Sequence, residues 1–183
     1  MQLLAIYGSP RKDGNTDLLL NQFLKGAEKA GCQINRLFVR DLTIYPCTAC
    51  GKCEKEPICP LDDDMQMIYA ALEKAEAVVV ATPVYFYNVP AQLKALIDRC
   101  QLLWHKNKEK KPTKPGYLIS VGGSKGKRLF DGVILTIKYF LNSTGFSLKE
   151  SLTYANIDAK GAIKGHPTAL KEAFVAGERL CQR

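Results

Sequence analysis

The apolar positions of this chain switch period repeatedly, from short unbroken runs to helical spacing and back. Leu3-Leu4-Ala5-Ile6-Tyr7 reads as a buried strand. From Asp17 to Ala30, Leu19, Leu20, Phe23, Leu24 and Ala27 recur at helical spacing, and Gly31 ends that helix. Gln33 to Val39 predicts a second strand. An irregular segment, Arg40 to Leu61, precedes a helix opened by Asp62-Asp63-Asp64 and carried by Met65, Ile68, Leu72 and Ala75. Ala77 to Thr82 is apolar throughout, as a strand covered on both faces should be. After a turn at 83–89, Pro90 opens a helix to about Trp104. Its positions Leu93, Ile97, Cys100 and Trp104 share one face, so Cys100 and Trp104 are expected in the core. Tyr117 to Val121 is a fourth strand and Leu129 to Thr144 a helix. Phe146 to Tyr154 is a more polar fifth strand, suited to a sheet edge, and a last helix starts near Pro167.

Strands alternating with helices predict an α/β three-layer sandwich, its parallel sheet covered on both faces. Right-handed crossovers and an anion-type turn after the first strand point to the strand order 2-1-3-4-5. In such a sheet ligands bind beyond the C-terminal ends of the strands. The turns at 8–16, 83–89 and 122–124 belong on that edge. So does the segment at 40–61, which leaves the second strand and is expected to pass beside the first two of those turns. The lysine-rich stretch from His105 to Lys114 follows a helix and belongs on the opposite edge.

At 183 residues, one domain spanning 1–183 is expected, with the cysteine-rich loop at 40–61 as its irregular part. A net charge of +8 invites a nucleic-acid reading. Much of it, though, sits in the 105–114 stretch with no aromatic residues between the lysines, so neither nucleic acid nor membrane is expected as a partner. No apolar run approaches membrane length, and the first residues enter a strand with no basic leader before it, so the expected location is cytoplasmic. Seven cysteines change the picture, because four of them lie between residues 47 and 59. In a reducing compartment such a cluster suggests a metal or redox site before disulfides. Cys32 and Cys181 are read as a buried small hydrophobe and a terminal thiol. Both histidines, His105 and His166, fall in loop-like sequence, and no side chain is assigned as a catalytic acid or base.

Three stretches carry candidate chemistry. In Gly8-Ser-Pro-Arg-Lys-Asp-Gly-Asn-Thr16, Gly14 lets the backbone come close to a ligand and Ser9, Asn15 and Thr16 offer donors. Arg11 and Lys12 add charge, and the following helix directs its first amides at the turn; a phosphate suits it. Neither the Walker nor the dinucleotide spacing is present. In Thr82-Pro-Val-Tyr-Phe-Tyr-Asn-Val-Pro90, the stretch Pro83, Val84, Tyr85, Phe86 and Tyr87 offers a rigid, aromatic turn. A planar ligand, the core or a subunit contact could each use it. Gly122 and Gly123 leave room for a flat ring. In Cys47-Thr-Ala-Cys50-Gly-Lys-Cys53-Glu-Lys-Glu-Pro-Ile-Cys59-Pro60, three thiolates share one tight loop and Cys59 supplies a fourth. A [4Fe–4S] cubane, a zinc ion and a metal-free redox set are the alternatives.

The 8–16 and 82–90 stretches together resemble the flavodoxin-like NAD(P)H-dependent FMN reductases, over most of the chain. The resemblance implies FMN, with its phosphate on Ser9, Arg11, Gly14, Asn15 and Thr16. Its isoalloxazine would lie against Pro83 to Tyr87 and Gly122-Gly123. The cysteine pattern is similar to that of the iron–sulfur flavoproteins, a branch of the same family. That implies a [4Fe–4S] cluster on Cys47, Cys50, Cys53 and Cys59. FMN takes up electrons in pairs and the cluster carries one, so the pairing implies an oxidoreductase acting as a two-to-one electron converter. Its donor would be NAD(P)H or a ferredoxin-type protein. A cluster-free NAD(P)H-dependent FMN or quinone reductase is the alternative. A non-catalytic carrier fits less well, since flavodoxins are acidic and this chain is basic. A homodimer or homotetramer is expected, because a flavin at a sheet edge needs cover and Tyr85, Phe86, Tyr87 and the cysteine loop offer apolar surface.

Overall fold

In the computed structural model, which describes residues 1–180, five strands form one parallel sheet. They are β1 (Gln2–Tyr7), β2 (Gln33–Phe38), β3 (Ala77–Pro83), β4 (Lys114–Val121) and β5 (Phe146–Tyr154), in the order β2-β1-β3-β4-β5. This is the flavodoxin-like 2-1-3-4-5 arrangement that the alternation of periods predicts. The helices are α1 (Asn15–Lys29), α2 (Lys52–Lys55), α3 (Met65–Lys74), α4 (Ala91–Arg99), α5 (Gln101–Asn107), α6 (Asp131–Ser143) and α7 (Ala169–Leu180).

Side chains of a strand alternate between its faces, so an unbroken apolar run feeds two cores at once. Leu4, Ile6, Val78, Val80 and Leu118 join Met65, Ile68, Leu72, Leu93, Leu96, Val133 and Ile137 under α3, α4 and α6. Leu3, Ala5, Tyr7, Val79, Ala81 and Ile119 join Leu19, Leu20, Phe23, Leu24, Ala173 and Ala176 under α1 and α7. β2 and β5 close the sheet and are only partly buried, which is why their sequences are more polar.

The helix expected from Pro90 to Trp104 breaks at Cys100, giving α4 and α5. Cys100 is in the core, as expected. Trp104 is not: it is 45% exposed, because the break interrupts the period that placed it on the buried face. Cys32 is buried as read, but it is disulfide-bonded and no free thiol. Cys181 lies outside the described residues. His166 is no free loop residue either, since its Nδ1 accepts the backbone N–H groups of Thr168 and Ala169 at the start of α7.

α1 and α7 meet backbone to backbone. A Cβ on Gly26 would overlap the Phe174 carbonyl oxygen, and one on Gly177 would overlap that of Phe23. Neither obstacle is a side chain that can swing aside, so Gly177→Ala must push the helices apart. The expected cost is about 1–3 kcal/mol, read as a lower midpoint in urea denaturation. Gly165→Ala, where a Cβ would meet nothing within 4 Å, should leave the midpoint in place.

Candidate functional site

The turn between β1 and α1 is shaped from inside. Ser9 Oγ accepts the Arg11 N–H at 3.1 Å and donates to the Arg11 carbonyl at 3.3 Å. The Asp17 carboxylate accepts the N–H of Asp13, whose φ of 54° is left-handed, and pairs with Arg40 at 3.0 Å. Burial pushes the Asp17 carboxyl above its ordinary pKa while Arg40 pulls it back. A carboxylate in the first turn of α1 would repel an anion, and the nearly buried Arg40 offsets it.

The cap position of α1 is Gly14, and no side chain caps the helix. Its first amides are thus left for a ligand. Around them lies a hollow of about 80 Å³ lined by Ser9, Arg11, Gly14, Asn15, Thr16, Pro83, Val84 and Tyr85, with Val121, Ile157 and Asp158. All five residues expected to hold a phosphate are therefore together. Among the described residues Arg11 has no ion-pair partner, and the Thr16 hydroxyl makes no hydrogen bond. Asn15 stands differently from its expected use as a donor. Its Nδ2 donates to the Ala159 carbonyl at 2.9 Å and its Oδ1 accepts the Ile163 N–H at 3.2 Å. The side chain pins the segment after β5 over the hollow, and only the Asn15 backbone N–H is left to face a ligand.

Ile157 and Asp158 come from that pinned segment, which the sequence reading passed over. Every segment that leaves a parallel strand at its C-terminal end starts on the ligand edge, so the residues after β5 carried a usable signal. The same segment covers the 122–124 turn, with Ile157 N–H donating to Gly122 O and Asn156 N–H to Ser124 O. A Cβ on Gly122 would meet Leu129 and Val84, and one on Gly123 would meet Asp158. The space beside these two glycines serves the chain's own side chains, and neither lines the hollow.

Tyr85 and Asn88 exchange both backbone hydrogen bonds, at 2.7 and 2.9 Å, which makes the aromatic turn a two-residue hairpin. Its central residues are Phe86 at φ 47° and Tyr87 at φ 61°. Such a turn is ordinarily made with Asn and Gly. Two aromatics there cost roughly 1–2 kcal/mol each. Phe86 is fully exposed and Tyr87 about half so. Neither plugs the core. Asn88 Oδ1 accepts the Thr136 hydroxyl of α6, which fixes the hairpin's base.

Cys47, Cys50, Cys53 and Cys59 are all free and line one cavity of about 380 Å³, whose far wall is the α4–α5 junction at Asp98, Arg99, Gln101 and Leu102. Burial first, then the neighbouring Cys47, Cys59 and Cys50, push the Cys53 thiol above its ordinary pKa. Among the described residues no three His, Cys, Asp or Glu side chains converge closely enough to hold a single metal ion. The ends of the loop are tied at its base. Asp63 accepts the Tyr45 N–H at 2.9 Å and takes Arg99 through both oxygens, at 2.6 and 3.1 Å, while Arg99 also donates to the Tyr45 carbonyl. Burial opposes the Arg99 charge, but Asp63 and Cys59 more than offset it and raise its pKa. The loop starts beside the 8–16 turn, where Arg40 pairs with Asp17. It packs on α4 and α5, and the two cavities share no residue. No helix among the described residues is long and apolar enough to cross a membrane.

The model of the NADPH-dependent FMN reductase family matches residues 1–131. An iron–sulfur flavoprotein of Methanosarcina thermophila is 42% identical over 125 residues, covering 68% of this chain and 65% of that protein, just under two thirds of its length. One from Archaeoglobus fulgidus is 39% identical over 142 residues, covering 76% of this chain and 72% of that protein. Among solved structures, an NAD(P)H:quinone oxidoreductase from Methanothermobacter marburgensis shares the fold with a TM-score of 0.76 at 16% identity, over 98% of both chains. The chain belongs to the NADPH-dependent FMN reductase family, in its iron–sulfur flavoprotein branch.

Proposed function

We propose that this chain is an FMN-dependent oxidoreductase that passes electrons between a reduced donor, NAD(P)H or a ferredoxin-type protein, and an acceptor, through FMN and a [4Fe–4S] cluster. The observation that carries the flavin half is the uncapped first turn of α1, with Arg11 and Thr16 unspent at the same hollow. That hollow of about 80 Å³ is lined by all five phosphate-type residues and by Pro83, Val84 and Tyr85 of the aromatic turn. Arg11, the Thr16 hydroxyl and the backbone amides of 14–16 would hold the phosphate. Pro83 to Tyr87 would face the rings. The strained, exposed aromatics of the hairpin support this use, since such strain persists where surface is presented for function.

The four cysteines suit a cluster better than zinc. A tetrahedral zinc ion needs its sulfurs about 3.8 Å apart, whereas a cubane takes one thiolate at each of four irons and so asks for a ring around a cavity. All four thiols line the one loop cavity, which supports the cluster reading. When bound, FMN would accept a hydride and release electrons singly, and the cluster would carry one at a time. The spread of the thiols also favours a second reading, a cluster-free NAD(P)H-dependent FMN or quinone reductase. A cytoplasmic location goes with either, because a reducing compartment keeps these thiols available. The hairpin and the cysteine cavity both lie open on the surface, which supports a homodimer or homotetramer that covers them.

Three measurements test this reading. Arg11→Ala should weaken FMN binding by about 1.5–3 kcal/mol in a titration of apoprotein, since a charge-assisted hydrogen bond is lost. Lys108→Ala, on the opposite edge, should leave it unchanged. Cys50→Ser should lose its iron after anaerobic reconstitution and keep FMN, because a hydroxyl is a poor substitute for a soft thiolate. Wild-type protein that takes up no stoichiometric iron and sulfide would instead establish the cluster-free reductase. Light scattering at micromolar concentration should report at least a dimer; a monomer would remove the shared cover.

A further inference from the structure

Arg99 is the buried charge of the cysteine cavity's wall. It is 2% exposed, and it lines the cavity together with all four cysteines. Asp63, its ion-pair partner, does not line the cavity. The Arg99 charge also feels Cys59, so the cation stands on the thiol side of the pair and the anion behind it. Of the five N–H groups on a guanidinium, three are spent on Asp63 and Tyr45. The Nε is buried and has no hydrogen-bond partner among the described residues. The other charged groups of the wall differ. Glu54 and Asp98 are both exposed, and Asp98 is paired with Lys94 at 2.6 Å. Water screens them; it does not screen Arg99.

We propose that Arg99 sets the reduction potential of the cluster held by Cys47, Cys50, Cys53 and Cys59, acting as a fixed buried cation. This rests on the cluster reading above. Four thiolates around a [4Fe–4S] core make a doubly negative complex, which becomes triply negative when it takes one electron from a reductant. A cation held beside it in a medium of low dielectric stabilises the reduced form more than the oxidised one, so the potential rises. Arginine suits the task. Its charge does not titrate in the working range, and its planar fork is locked by Asp63 while the buried Nε–H stays unspent. The arrangement also accounts for the cost of burying an ion pair here, which burial alone would not favour. Tyr45 and Asp63 are ends of the cysteine loop, so the contacts that close the loop also aim the charge.

The test uses the full chain, reconstituted anaerobically with iron and sulfide, and reads the cluster midpoint potential in dithionite titrations followed by electron paramagnetic resonance. Arg99→Gln should move the potential to a more negative value by at least a tenfold change in the equilibrium constant, 59 mV for one electron. Arg99→Lys, which keeps the charge, should stay within that margin of wild type. Asp63→Asn, which removes the anion behind the cation, should move it the other way. A clamp without an electrostatic role would not give opposite signs. Arg99→Gln that holds its iron at the wild-type potential overturns the proposal, as does Arg99→Lys shifting as far as Arg99→Gln. Should Arg99→Gln bind no iron, Asp63→Asn decides, and an unchanged potential there overturns it. Wild-type protein without iron fails the cluster reading itself and takes this proposal with it. Wild-type iron with equal potentials fails this proposal alone.

Discussion

Strands buried on both faces must satisfy every backbone hydrogen bond within the sheet and present only apolar side chains. β1 and β3 meet that demand almost completely. Polar chemistry has no place in the body of such a sheet. It gathers where the chain leaves each strand, and in a parallel sheet all those exits lie on one edge. The turn after β1, the hairpin after β3 and the segment after β5 meet there because of this single constraint. Asn15 then welds the first to the last, through atoms 144 and 148 positions away in sequence.

The price of that edge is visible in the backbone. Asp13, Phe86 and Tyr87 all sit at positive φ without being glycine, and Asp17 keeps one buried carboxylate oxygen unpartnered. Each device costs stability, and each borders the hollow or its hairpin. The strain is held by the packing beneath, where Leu93 of α4 fills the space a side chain on Gly8 would need, and by the bond from Thr136 to Asn88. The site is rigid because its neighbours allow no alternative.

Much of this was legible in the sequence, for identifiable reasons. The 3.6 and unbroken periods mark every strand and place α1, α3, α6, α7 and the combined span of α4 and α5, since burial dictates both. The turn at 8–16 is legible because its residues are local in sequence. What stayed hidden depends on long-range placement. Trp104 follows a helix break that no Gly or Pro announces. Asn15 carries a side chain suited to several uses, and only the return of the chain at Ala159 selects one. Gly122 and Gly123 signal missing bulk, but not whether a ligand or the chain itself fills the space. The path of the cysteine loop is set by Arg99, whose partners lie 36 and 54 residues earlier.

That path gives α4 a role beyond covering the sheet. Its N-terminal end follows directly on the aromatic hairpin, through Val89 and Pro90. Its last residue, Arg99, stands in the wall of the cysteine cavity. Nine residues at 1.5 Å each make a strut of about 13 Å. Leu93 and Leu96 fix it in the core from below. The two candidate sites share no side chain, yet one short, packed helix sets their separation, and the break at Cys100 ends the strut where the cavity begins. α4 cannot move without disturbing the core beneath it. The fold itself thus fixes the separation of the aromatic hairpin from the cysteine cavity, whose base Arg99 and Asp63 close.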